Sequence, residues 1–493
     1  MWNLSGYDSE AVGFDSVAVK KTEDASTGTQ TTEFFEAAVA TQTVAYKDGS
    51  SMTSPTEDLT TKDVKYSAAN LNAFLQRVMP GMLEQLDENK ENAYESSESD
   101  EDNEILTAKL VQELKVREVQ GSGDQALSVL DLSWSNTGNS LAVSLGQKQH
   151  ENWCTDNGLI RFYTVKVSAG DKLVHSMDIN EKNCVSVLKY HPSVAALFVY
   201  GTVTGEIVIC DLRNNDELQM TSPSGTHGSK RVTALSWLES TTAETFFAIH
   251  INNTGKRRAS TDRILVSSGS DGTIVAWHVN ADNKTFEAIV TYSVNGARKM
   301  AAPDISCFDF INTFPLRPTG DKISNDIFVV GTNVGNLFLC NIKNAQSAAH
   351  SGHVDPVSDV LESHATCILA VTFHQDKPGV FITLSIDSEL RIYNVKQASP
   401  LKIISLDYHV SCVGWLPYNP WLAVVGTEAE MRLCDVACGR EVHVDGLKGT
   451  GGVCKLAVNQ IGGCRVAAGD SEGCVKIWDL PRCSHTPGDD LDI

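Results

Sequence analysis

The chain has 493 residues, 42% of them hydrophobic, and a formal net charge of −22. That length exceeds what one hydrophobic core organises, so a large modular domain with an appendage is expected. No stretch approaches the roughly 18 uninterrupted apolar residues of a membrane span. The opening Met1-Trp2-Asn3-Leu4-Ser5 also lacks the basic and apolar regions of a secretory signal, which predicts a cytosolic protein without membrane insertion. Residues 1–104 hold 21 acidic and 7 basic side chains. Such an arm repels phosphate backbones, so nucleic acid and anionic membranes are disfavoured as direct ligands.

Residues 1–66 are rich in Thr, Ser, Asp and Glu, with few large apolar residues and no sustained period. Such a segment cannot bury enough surface to offset the entropy of ordering, and it is read as a disordered arm. Within it, Thr29-Gln30-Thr31 and Thr41-Gln42-Thr43 stand twelve residues apart. An extended peptide alternates its side chains, so each triplet turns two threonines one way and the glutamine the other. The even separation keeps the triplets in phase, as β-augmentation of a partner's sheet edge requires; the alternative is coincidence in a Thr-rich segment. Tandem sites would raise the effective concentration of the second contact.

Residues 67–92 form the next element. Leu71, Phe74, Leu75, Val78, Met79, Met82, Leu83 and Leu86 follow the i, i+3, i+4, i+7 pattern, which predicts an amphipathic helix with one apolar face. Pro80 removes one backbone hydrogen bond inside it, so two shorter helical pieces are an alternative to one helix. The stripe either docks on the rest of this protein or fills a partner's groove. Residues 93–104 contain the run Glu95-Ser96-Ser97-Glu98-Ser99-Asp100-Glu101-Asp102, read as a solvated, self-repelling linker.

From about residue 127 the pattern changes to short apolar strands separated by Gly, Asn and Asp turns, and one sentence recurs. Its clearest copy runs from Ile264 to Trp277, with the turn Gly269-Ser270-Asp271-Gly272. Related endings occupy 157–163, 204–211, 334–340, 387–393, 428–435 and 470–479, the last closing on Trp478-Asp479. Before each ending come a strand such as Val129-Leu130-Asp131-Leu132-Ser133-Trp134 and an Ala/Val/Gly-rich second strand. The pattern resembles the WD-repeat family and predicts an all-β seven-bladed β-propeller over residues 105–482, with a tail at 483–493. The resemblance implies that Asp271, Asp387, Asp470, His364 and the tryptophans hydrogen-bond within blades.

The last blade has no room for its own fourth strand. Ile105 to Val119, with Leu110, Leu114, Val116 and Val119, is expected either to fill that edge or to form a short helix. Insertions at Thr241–Arg263 and Phe314–Asn325 swell blades three and four and are expected as rim loops.

No chemistry-bearing constellation emerges. There is no Gly-rich loop ending in Gly-Lys-Ser/Thr and no Gly-x-Ser-x-Gly elbow, and histidines such as His250 and His278 are dispersed through strands. The thirteen cysteines stand singly, mostly in apolar strands, and read as reduced core residues. Only Cys434 and Cys438 are close, without a second pair or histidines at zinc-ligand spacing. No enzyme activity, cofactor or metal is expected. Arg257-Arg258-Ala259-Ser260 is similar to a basophilic kinase site, with Ser260 as acceptor, although so short a motif also arises by chance.

The order of acidic arm, paired Thr-Gln-Thr triplets, amphipathic helix and divergent propeller resembles dynein intermediate chains. Within that family the chain resembles the cytoplasmic dynein 2 members, which serve retrograde intraflagellar transport. The residues carrying this are Leu71-Asn72-Ala73-Phe74-Leu75-Gln76-Arg77-Val78, Leu132-Ser133-Trp134-Ser135-Asn136-Thr137-Gly138, and the segment from Ala467 to Trp478. The resemblance implies a non-catalytic scaffold in the cytoplasm, the cytoskeleton and the cilium or flagellum and its base. Its propeller would grip a dynein heavy chain, and its triplets would bind DYNLL-type light chains that zip the arm to a second intermediate chain. Its helix would seat a roadblock-type light chain. Two rival readings are an axonemal dynein intermediate chain and a WD-repeat receptor of a cullin-type ubiquitin ligase, the latter from the Asp-x-Arg ending Asp211-Leu212-Arg213.

Overall fold

The computed structural model describes residues 72, 74–80, 106–115 and 127–481 apart from short loops, of which 251–260, 295–302 and 312–325 are the longest. The chain divides into two units, Met1–Asp100 and Glu101–Ile493. The expected arm at 1–66, linker at 93–104 and tail at 483–493 lie outside the described residues.

The second unit is a seven-bladed β-propeller, because seven antiparallel sheets follow one another along the chain. Blade 1 shows the plan: Ser128–Trp134, Ser140–Gly146, Gly158–Lys166 and Lys172–Glu181 pair in sequence order. Successive side chains of each strand point to opposite faces, toward the two neighbouring blades. Their apolar side chains form seven clusters among the described residues, one at every junction between adjacent blades. The core is therefore a ring of interfaces, and each blade is stable only between its neighbours.

The small residues of the second strands have a packing reason. A Cβ on Gly469 would lie 2.5 Å from Val129 Cγ1 of the next blade and one on Gly201 2.6 Å from Val232 there, while Gly331 and Gly426 are pressed both by a cysteine of their own blade and by Ile368 or Val453 of the next. Glycine here permits close approach between blades.

Closure settles the choice in favour of a strand at Lys109–Lys115, while residues 105 and 116–119 lie outside the described residues. Lys109–Lys115 pairs antiparallel with Cys474–Asp479 and completes blade 7, removing an edge that would invite aggregation. Leu114 enters the core between blades 7 and 1 at 6% exposure, whereas Leu110 stays 44% exposed. The Gln112 amide donates to Leu173 O at 2.8 Å and accepts from Leu173 N at 2.9 Å, hooking the strand to blade 1. Trp134 Nε1 donates to Ala457 O at 3.0 Å, and Val129 N to Asp470 O at 3.0 Å, so the same junction is stitched near the axis.

The expectation of a rim loop in blade three needs correction. Ser240–His250 is a helix that opens on cap-type residues and places Ala243, Phe246 and Phe247 in the core between blades 3 and 4. These three positions share one helical face, so the insertion adds to the core instead of lying loose on the rim. Gln346–Ser347 and Val354–Asp355, from the connection inside blade 4, extend the sheet of blade 3, where Val354 pairs parallel with Tyr292. Residues 314–325 lie outside the described residues.

The polar groups expected to act within blades do so in blade 3. His227 Nε2 and Trp277 Nε1 both lie 2.9 Å from Ser267 Oγ, and His227 Nδ1 lies 3.3 Å from Asp271 Oδ1. Burial works against the Asp271 charge, but bonds from His227 and Thr273 more than offset it and hold the carboxyl below its usual range. In blade 5, His364 Nε2 meets Thr383 Oγ1 at 2.7 Å, while Tyr393 stands where the tryptophan would be and donates to Glu362 O at 2.7 Å. Blade 7 keeps Trp478-Asp479, yet Asp470 accepts from the backbone N–H groups of Glu472 and Cys474 within its own turn.

His364 is 4% exposed. Burial and then Arg391 push its pKa down to about 4, against Asp387 and Glu389. Glu389 cannot charge it, because Arg391 takes that carboxylate at 2.7 Å while His364 Nδ1 stays 3.8 Å away.

Two outcomes follow from this packing. Leu114→Ala should lower the unfolding free energy in urea by ~2–4 kcal/mol and Leu110→Ala by under ~0.5 kcal/mol; equal effects would contradict closure by this strand. The folded pKa of His364 lies below the ordinary 6.5, so its contribution is present above about pH 6.5 and lost as pH falls toward about 4. His191, held at about 3 by burial, acts in the same direction. His364→Gln should therefore flatten, without abolishing, the fall in stability across that window, and an unchanged slope would place the titration elsewhere.

Candidate partner-binding surfaces

Binding by a scaffold needs apolar groups left uncovered, and the described part of the first unit has them. Residues 72 and 74–80 are helical. Of the predicted stripe, Phe74, Leu75 and Met79 are exposed by 51%, 41% and 50%, and Val78 is half-buried. These four positions fall on one side of a 3.6-residue helix, and covering each large side chain is worth ~1.5–3 kcal/mol. The Arg77 guanidinium lies 5.9 Å from the centre of the Phe74 ring, which gives this surface a cationic margin. Pro80 is still helical. Leu71, Met82, Leu83 and Leu86 lie outside the described residues, as do Thr29, Gln30, Thr31, Thr41, Gln42, Thr43 and Ser260.

On the ring, exposed large apolar side chains concentrate on two adjacent blades. Val334 and Val360 belong to blade 4 and Ile386 and Ile403 to blade 5, leaving Leu110, Met177 and Ile461 for the rest of the described ring. Val334 and Ile386 occupy turns between second and third strands, and Val360 and Ile403 sit on fourth strands. A turn on one blade and the outer strand beside it thus offer separate apolar points to a partner.

Titratable clusters on the ring are mostly committed to structure. His364, Asp387 and Glu389 bring ligand atoms within 4.8 Å of one another, but Thr383, Ser385 and Arg391 already engage them. Asp131 and Asp309, on innermost strands, accept the backbone N–H of Leu188 and Phe373 in the following blade, each at 2.8 Å. Burial pushes the Asp309 pKa up to about 6, opposed by the Phe373 N–H, by Lys189 and by the Phe310 N–H. His278 Nε2 lies 3.0 Å from Asp262 Oδ1 inside blade 3.

The twelve described cysteines are free, and eight are buried, as core cysteines should be. Cys434 is one of these, its thiol pushed up to about 12 by burial. Arg213 of the Asp-x-Arg ending is turned back on Asp211, with Nε 2.9 and 3.0 Å from the two carboxylate oxygens. That pairing holds the Asp211 carboxyl below its usual range. No described helix is long and apolar enough to cross a membrane.

No family model matches the chain. It is 22% identical over 450 residues to "Cytoplasmic dynein 2 intermediate chain 2" of Mus musculus, covering 87% of this chain and 80% of that protein. Its likeness to the Homo sapiens protein of the same name is 21% over 434 residues, 84% of this chain and 77% of that protein. "Dynein intermediate chain 2, ciliary" of Heliocidaris crassispina is 22% identical over 289 residues, 57% of this chain and 36% of that protein. The resemblance read from the residues thus extends along most of the chain: this propeller protein is similar to the dynein intermediate chains.

Proposed function

We propose that the chain is a non-catalytic intermediate chain of cytoplasmic dynein 2, scaffolding heavy and light chains for retrograde intraflagellar transport and cilium or flagellum assembly. The observation that carries this reading is the extent of the likeness. The ring from Lys109 to Asp479 makes up about three quarters of the chain, yet the mouse relative matches 87% of it. The match therefore runs into residues ahead of the closing strand, so more than the propeller is shared. A propeller alone would say little, since that fold serves many functions.

In this reading the ring grips the heavy chain through a face that includes exposed apolar groups of blades 4 and 5. The triplets Thr29-Gln30-Thr31 and Thr41-Gln42-Thr43 add as strands to DYNLL-type dimers and zip the arm to a second intermediate chain. The helix carrying Phe74, Leu75 and Met79 seats a roadblock-type dimer. The protein works in the cytoplasm, on the cytoskeleton and in the cilium or flagellum and its base, without nucleic acid or membrane insertion.

An axonemal intermediate chain is the second reading, favoured by the ciliary relative; its match covers less of the chain than the ring occupies. Retention in detergent-extracted axonemes would support it, and movement with transport particles the first. For the ligase-receptor reading, the Asp211–Arg213 pair leaves Arg213 engaged within its own chain.

Deleting residues 26–44 should abolish co-purification of the DYNLL-type light chain while leaving heavy chain bound. A light chain retained at wild-type stoichiometry would refute the assignment of the triplets. Leu75→Asp combined with Met79→Asp should remove the roadblock-type light chain at least tenfold, since two buried contacts of this size exceed ~1.4 kcal/mol. Undiminished recovery would remove the helix from the interface.

A further inference from the structure

The turn between second and third strands spans three or four residues in six of the blades. In blade 1 it spans eleven, from Gln147 to Asn157. A long loop is costly to hold in one conformation, so an anchor is to be sought. This loop carries His150 and Cys154, and it meets Cys184, the residue before the first strand of blade 2. The ligand atoms of His150, Cys154 and Cys184 all lie within 4.8 Å of one another.

The surroundings support the cluster. At the loop's end a Cβ on Gly158 would lie 2.3 Å from Asn183 O and 3.0 Å from Cys184 Cα, so only glycine lets the loop close this tightly on blade 2. Cys184 N donates to Cys154 Sγ at 3.3 Å, the kind of backbone bond that stabilises a metal-bound thiolate. Cys154 Sγ and Cys184 Sγ lie 3.4 and 3.9 Å from the same Asp156 carbonyl oxygen, so the two sulphurs converge on one point. His150 Nε2 is buried without a hydrogen-bond partner among the described residues, and an orphaned acceptor of this sort calls for a ligand.

We propose that His150, Cys154 and Cys184 bind one Zn2+ ion that staples the long loop of blade 1 to blade 2. One imidazole and two thiolates form a soft donor set that selects zinc over magnesium or calcium, and a tetrahedral ion leaves its fourth position to water. Bond lengths near 2.0–2.3 Å require the three ligand atoms to draw together by about an ångström, which a loop of this length allows. On binding, each thiol gives up its proton to solvent as its sulphur takes the metal, with no change of oxidation state. The ion's role is structural: it ties down the turn that corresponds, in blade 1, to those carrying Val334 and Ile386.

The test uses the full-length protein, purified without chelator and measured by elemental analysis. One zinc per chain is expected, falling to background in Cys154→Ser and in His150→Ala, and unchanged in Cys438→Ser. Cobalt added to the apoprotein should give a thiolate charge-transfer band and tetrahedral d–d bands, both lost in Cys154→Ser. Cys154 is on the loop, so that variant should keep the wild-type far-ultraviolet dichroism. The proposal is overturned if wild-type protein neither retains zinc nor develops the cobalt spectrum. It is equally overturned if the metal persists in the Cys154→Ser, Cys184→Ser double variant, or if peptide mapping finds Cys154 and Cys184 joined as a disulfide.

Discussion

The structure depends on the pairing of Lys109–Lys115 with Cys474–Asp479. A ring of blades has no central core of its own; each interface is satisfied only if the next exists, and the last needs a strand from the other end of the chain. That strand brings Leu114 into the closing core and Gln112 onto the backbone of blade 1. Because residues more than 350 apart in sequence must meet, closure is the non-local event through which the blades stabilise one another.

Much of this was legible in the sequence, and the reasons for the rest are physical. The seven strand endings could be counted because six of them pair an apolar alternation with a Gly, Asn or Asp turn, and both are local signals; the turn Glu428-Ala429-Glu430 of blade 6 lacks such a residue. The closing segment was ambiguous because Leu110 and Leu114 also suit a helix; only the unpaired edge on Cys474–Asp479 decides for a strand. The helix Ser240–His250 lies in what the sequence offers only as an insertion, because the value of Phe246 and Phe247 appears only against blade 4. His227 was missed because its partners Ser267 and Asp271 lie some forty residues later, whereas Trp478-Asp479, conspicuous in sequence, ends a blade whose turn aspartate serves only its own loop.

The cysteines teach the same point. Cys434 and Cys438 drew attention by being near in sequence, yet proximity there carries little. His150 and Cys154, from the turn between the second and third strands of blade 1, meet Cys184 at the start of blade 2. Their one sequence signal was the length of that turn against its six counterparts, which becomes visible once the blade boundaries are known.

A closed ring of blades is suited to holding other molecules in register, and the likeness to dynein intermediate chains bears on what those molecules are. The ring supplies fixed geometry, with apolar points on blades 4 and 5. The helix at 74–80 supplies a surface that gains free energy only when covered. The most direct measurement is quantitative mass spectrometry of the tagged full-length chain, purified from ciliated cells of its source. The account predicts a dynein heavy chain in near-stoichiometric amount; a ligase adaptor in its place, or no dynein subunit at all, would contradict it.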